Sequence, residues 1–218
     1  MGKMTYPPTV KIIELEQAPF HNSADADAWA RSHGVIGLMS DVDTGGKGAI
    51  SISAQSIDKM LSGSALKKSI TPAIHYAALM RLRDIIRESF VGETHPDYKK
   101  INGLRSADNG INPFVVIDVL YGCVSYGDIP YRVKTTLKRY YNRADPTKAY
   151  SYEITNVEVL RGTVAPIARP SDKNSTFDVS ILLNGVCDVN GEPLLKGASL
   201  NHTKRDSIIT PRRCQLRQ

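Results

Sequence analysis

Between Pro113 and Tyr140 the chain reads PFVVIDVLYGCVSYGDIPYRVKTTLKRY, and few folds accommodate such a stretch. The stretch predicts two strands that pair as a hairpin, with the turn near Tyr126-Gly127-Asp128. A third strand is predicted over AYSYEITNVEVLRG, where Tyr150, Tyr152, Ile154 and Val157 alternate with polar residues. NRADPTK between them is a turn. The same region is basic and aromatic. Arg132, Lys134, Lys138, Arg139 and Arg143 are interleaved with Tyr131, Tyr140, Tyr141, Tyr150 and Tyr152. Cations beside π-faces suit a phosphodiester backbone and its bases.

Upstream the pattern is helical. Ser23 or Asp25 is predicted to cap a short helix ended by Gly34. Ser53 caps a second helix with Ile57, Met60 and Leu61 on one face. The third is the clearest: Thr71 caps it, Pro72 opens it, and its apolar stripe runs to about Phe90, with Gly92 as the stop. TVKIIELE reads as a short strand, VIGLMSDVDTGGKGAISIS as strand, turn and strand, and ETHPDYKKINGLRSADNGINP as a long turn-rich segment. Helices first and a meander after them predict an α+β fold. N-terminal helices would pack on one face of an antiparallel sheet of about four strands, leaving the other face open. The division expected is an N-terminal extension with a short helix (1–44), an α+β core domain (45–162) and a C-terminal extension with a basic tail (163–218).

The 218 residues carry a formal net charge of +6 and a pI of about 9.2, which favours an anionic partner. The tail holds Lys196, Lys204, Arg205, Arg212, Arg213 and Arg217 against Asp206. Three cysteines, Cys123, Cys187 and Cys214, form neither a disulfide framework nor a zinc spacing, so reduced thiols and a cytoplasmic location are expected. No apolar run approaches a membrane span, and the N-terminus lacks a signal-peptide core. There is no Walker loop, nucleophile elbow or dinucleotide fingerprint. No cofactor and no metal are expected.

Several strings together (AISISAQSIDKMLS, IHYAALMRLRDIIRESF, GETHPD, YGDIPYRVKTTLKRY and AYSYEITNVEVL) resemble domains of phage polyvalent proteins and the C-termini of MuF-type phage polymorphic toxins. Those families include phage relatives of the barnase, EndoU, RelE and colicin ribonucleases, and a polyvalent-protein-associated domain. The resemblance covers about residues 45 to 160. It implies metal-independent RNA cleavage, in which the 2′-hydroxyl attacks the adjacent phosphorus. Such a toxin would act on tRNA or mRNA and would pair with an acidic immunity protein. The alternative it implies is a non-catalytic module that binds nucleic acid or a protein.

The reaction needs a base, an acid and cations around the phosphorane. His95, between Glu93 and Asp97, suits acid–base work near neutral pH. His75, in the first turn of the helix capped by Thr71, is a second candidate, since a helix N-terminus favours neutral imidazole. Arg132 and Lys134 share a strand face with Thr136 and Lys138 and are expected to clamp phosphate. Glu153 is the candidate base if a histidine is the acid, with Ser151 on the same face. Tyr131, Lys59 and Arg105, the last in a long loop, complete the expected substrate contacts.

Overall fold

The computed structural model describes residues 6–7, 9–97, 115–140, 146–157 and 175–195. Its spine is the expected hairpin. Strands β5 (Val115–Tyr126) and β6 (Ile129–Tyr140) run twelve residues each and pair without interruption. Only Gly127 and Asp128 lie between them, at φ of 56° and 62°. Two consecutive left-handed residues match the twist of a tight hairpin. Strand β7 (Thr147–Asn156) adds antiparallel to β6.

The sheet does not stop at this meander. Its strand order is β2-β3-β7-β6-β5-β1-β8, with β4 also on β5, making eight strands among the described residues. Strand β3 (Ile50–Ile52) runs parallel to β7, and β2 (Gly37–Met39) antiparallel to β3. The far edge of β5 is divided. Strand β4 (Phe90–Pro96) pairs antiparallel with its first half, and β1 (Thr9–Leu15) pairs parallel with its second. Strand β8 (Thr176–Asp178) lies antiparallel on β1.

The antiparallel sheet of about four strands is therefore corrected to a mixed sheet of eight. The additional strands are short or lack alternation. GETHP in β4 has no apolar period and owes its extended form to the ladder with β5.

The helices carry the caps read from the sequence. Ser53 accepts from the Ser56 amide at the start of α2 (Ala54–Met60), and Thr71 accepts from Ile74 at α4 (Pro72–Met80). Helix α1 (Ser23–Ser32) is capped one residue earlier than expected, by Asn22, and α3 (Gly63–Leu66) by Ser62. The expected long helix is two: Arg81 leaves helical geometry at φ −111°, ψ 15°, and α5 (Leu82–Glu88) follows. Asp84, in the first turn of α5, receives Arg81 Nε at 2.8 Å and Arg87 Nη2 at 2.6 Å.

Two cores hold the layers. Helices α1, α2, α4 and α5 pack on one sheet face against Leu120, Val124, Val133, Leu137, Tyr152 and Ile154. The other face, expected to be open, is covered in part by a second core. Val119, Tyr121 and Cys123 of β5 meet Val10 and Ile12 of β1, then Phe177 and helix α6 (Val179–Leu182) through Val179 and Leu182. Part of the C-terminal extension expected over 163–218 thus supplies one wall of the fold, with a short helix where STFDVSILLNGVCD predicts one. Burial pushes the Cys123 thiol up to about 12.

Candidate functional site on the second sheet face

Directly paired residues of neighbouring strands share a face. The registers therefore place three rows on the face away from the main helices: His95, Ile117, Lys138 and Lys148; Glu93, Val119, Thr136 and Ser151; and Tyr121, Lys134 and Glu153. A fourth row holds Cys123, Arg132 and Thr155. The period-two reading of Arg132, Lys134, Thr136 and Lys138 holds along β6, and Ser151 and Glu153 join them from β7.

Two clusters form on this face. In the first, His95 Nδ1 lies 2.8 Å from the Pro96 carbonyl, and Nε2 lies 3.5 Å from Glu93 Oε1. A carbonyl only accepts, so Nδ1 carries the proton and Nε2 is the nitrogen that can exchange one. Glu93 Oε1 also accepts from the Val189 amide at 3.0 Å. Lys138 Nζ donates to Asp97 at 3.0 Å and lies 4.0 Å from the centre of the Tyr150 ring. Lys59, on α2, reaches that ring at 4.5 Å. Tyr150 is thus held by two cations. It does not share the face of Tyr152 and Ile154: the register shifts between Thr136 and Leu137, and Ala149 takes the buried place.

In the second cluster Lys134 Nζ faces Glu153 at 3.7 Å. Arg132 donates from Nε to Thr155 Oγ1 at 3.2 Å, and from Nη1 to the carbonyls of Leu182 at 3.0 Å and Asn184 at 3.3 Å. Those carbonyls end α6, where a cation is favoured. Arg132, expected to clamp phosphate, is a clasp for the C-terminal segment. Replacing it with glutamine is expected to cost about 2 kcal/mol, as for hydrogen bonds from a charged donor. Urea unfolding measures the loss, and amide exchange at residues 179–184 locates it. Unchanged protection there would refute the clasp.

The expected site residues do not converge on one point. Three inter-strand spacings separate His95 from Glu153, about 14 Å, and four residues of strand add about 13 Å. One phosphate cannot touch both, so Glu153 is not the base that works with His95. Arg132 lies further along β6 still.

His75 belongs to the opposite face and is fully buried in the helix-side core. Its Nδ1 lies 2.7 Å from Ser69 Oγ, its Nε2 2.9 Å from the Met60 carbonyl, and its ring stacks on Tyr152 at 4.2 Å. Burial lowers its pKa to about 4 against a smaller opposing effect of the Met60 carbonyl. It is a core histidine and not a catalytic one. Tyr131 also points into the main core, since it alternates with Arg132, so it contributes no contact on the site face. Arg105, Tyr141, Arg143 and the basic tail lie outside the described residues.

The sequence held a signal for the first cluster. Glu93, His95 and Asp97 recur at every second residue, the pattern of one strand face, although the segment reads as a turn. The partners Glu93 and Asp97 find there come from β6 and from beyond α6, and no local pattern announces them. Among the described residues no helix is long and apolar enough to cross a membrane. No family model, no curated protein and no solved structure matches this chain.

Proposed function

We propose that the protein is a metal-independent ribonuclease-type effector, acting on an RNA strand at the His95–Glu93–Lys138 cluster. The observation that carries this reading is the pairing of His95 Nε2 with Glu93 at 3.5 Å on the face that also presents Lys138 and Tyr150. A carboxylate and an imidazole with its far nitrogen fixed are a base and an acid side by side. Glu93 takes the 2′-hydroxyl proton as O2′ bonds to phosphorus. The P–O5′ bond breaks, and O5′ takes the proton from His95 Nε2. The products are a 2′,3′-cyclic phosphate and a 5′-hydroxyl. Lys138 lies within reach of the charge on the phosphorane, and the Tyr150 ring offers a stacking surface for a base. As a toxin, such a protein would call for an acidic immunity partner covering the basic face.

A second reading is a non-catalytic nucleic-acid-binding module. It is favoured by the ion pairs of Lys138 with Asp97 and Lys134 with Glu153, which tie up cations a nuclease would direct at phosphorus.

Incubation of the purified protein with total bacterial RNA in EDTA separates the two. Discrete cleavage is expected, falling about 100-fold or more in His95→Ala and in Glu93→Gln. RNA binding by those variants should persist. Intact RNA with salt-sensitive binding would sink the catalytic reading and leave the module, and neither cleavage nor binding would sink both.

A further inference from the structure

A cavity of about 280 Å3 opens in the helix layer beside the β2 edge of the sheet, away from the face described above. His33, Met39, Met80, Arg81, Arg83 and Arg87 line it, with Asp43 and Asp84. Both carboxylates are already engaged. Asp84 is shared between Arg81 and Arg87. Asp43 Oδ2 accepts from the Ser40 amide at 3.0 Å and its hydroxyl at 2.8 Å. Arg83 differs from its neighbours. Nη2 donates to the Leu38 carbonyl at 3.2 Å, and among the described residues no carboxylate lies within ion-pair distance of it, although Asp43 stands near enough to feel its charge. Its fork therefore faces the cavity with hydrogen-bond donors to spare. Arg81 and Arg87 stand beside it, held in place by Asp84.

We propose that this cavity binds a small phosphomonoester, with its phosphate on Arg83 and its organic body against Met80. A guanidinium is suited to two oxygens of such a group. Methionine side chains adapt to a planar or apolar body and make favourable contacts with ring edges. The volume falls just below the usual range for drug-sized ligands, about 300–1,000 Å3, so the ligand is small. The phosphate belongs to a free mononucleotide or to the 5′ end of an RNA.

Calorimetric titration at low salt with inorganic phosphate, AMP and a 5′-phosphorylated RNA trinucleotide tests the proposal. AMP is expected to bind more tightly than inorganic phosphate, and Arg83→Gln to weaken it about ten- to hundredfold, the worth of charge-assisted hydrogen bonds. His95→Ala should bind AMP unchanged, which separates this site from the RNA-cleaving one. Equal affinity for the trinucleotide would assign the phosphate to an RNA end, and binding of AMP alone to a free nucleotide. No binding at millimolar AMP, equal affinity for bare phosphate, or an unaffected Arg83→Gln variant would overturn it. Should that variant not fold, the Arg83 Nε–H resonance of the wild-type protein must move on saturation with AMP, and a stationary signal is equally decisive.

Discussion

Lowering the pH from 7 to 4 is expected to cost this fold about 3 kcal/mol through a single residue, His75. The buried imidazole binds its proton only near pH 4, whereas in the unfolded chain the group titrates near 6.5. Between those values the unfolded chain holds more protons, so stability rises with pH there. The contribution is complete above about pH 6.5 and is lost as the pH falls to about 4, at about 1.4 kcal/mol per pH unit. Urea unfolding at pH 7, 5.5 and 4, for wild type and His75→Gln, measures it. At pH 7 the variant should be less stable, having lost the bonds to Ser69 and Met60. That gap should close by about 3 kcal/mol at pH 4, because glutamine has no proton to gain. A gap constant with pH would refute the buried neutral histidine.

Gly92→Ala is expected to destabilise the protein by about 3 kcal/mol, at the upper end for overpacking a filled core. Gly92 sits at the register shift of β4, between Val91 and Glu93. A Cβ there would overlap Tyr121 Cδ2 and lie 2.8 Å from Cε2. The Tyr121 ring is fully buried and packs on Phe90, so it has nowhere to go. Denaturant unfolding of Gly92→Ala, Tyr121→Leu and the double variant decides whether this contact is the cause. The double variant should be more stable than the sum of the singles predicts, by about 1 kcal/mol or more. Strict additivity would place the damage elsewhere. Glu93 and His95 follow on the same strand, so any RNA cleavage should fall with stability in Gly92→Ala and recover in the double variant.

What the sequence disclosed divides along physical lines. The hairpin was legible because its turn and its alternation are local: Gly127-Asp128 and the β6 period of Arg132, Lys134, Thr136 and Lys138 need no distant partner. The caps Ser53 and Thr71 were legible for the same reason. Strands β4 and β8 were not, since each takes its extended form from a ladder with residues remote in the chain. The candidate site shows the same split. Period two placed the β6 cations on one face, but could not say that Arg132 would be claimed by the carbonyls ending α6. At His75 the sequence misleads, because a place in the first turn after the Thr71 cap suggests an exposed helix start. Only the packing of α4 against Tyr152 makes it part of the core.

The divided edge of β5 has a consequence for biosynthesis. Strand β1 leaves the ribosome well before either of its two partners, Cys123–Tyr126 and Thr176–Asp178. It must wait, unpaired and rich in β-branched residues, until β5 and then β8 are made. Closing such long loops makes the last docking step slow. The outer edge of β1 stays exposed until β8 is made, an invitation to a second chain. This protein should therefore depend on holding chaperones most strongly between synthesis of β5 and synthesis of β8.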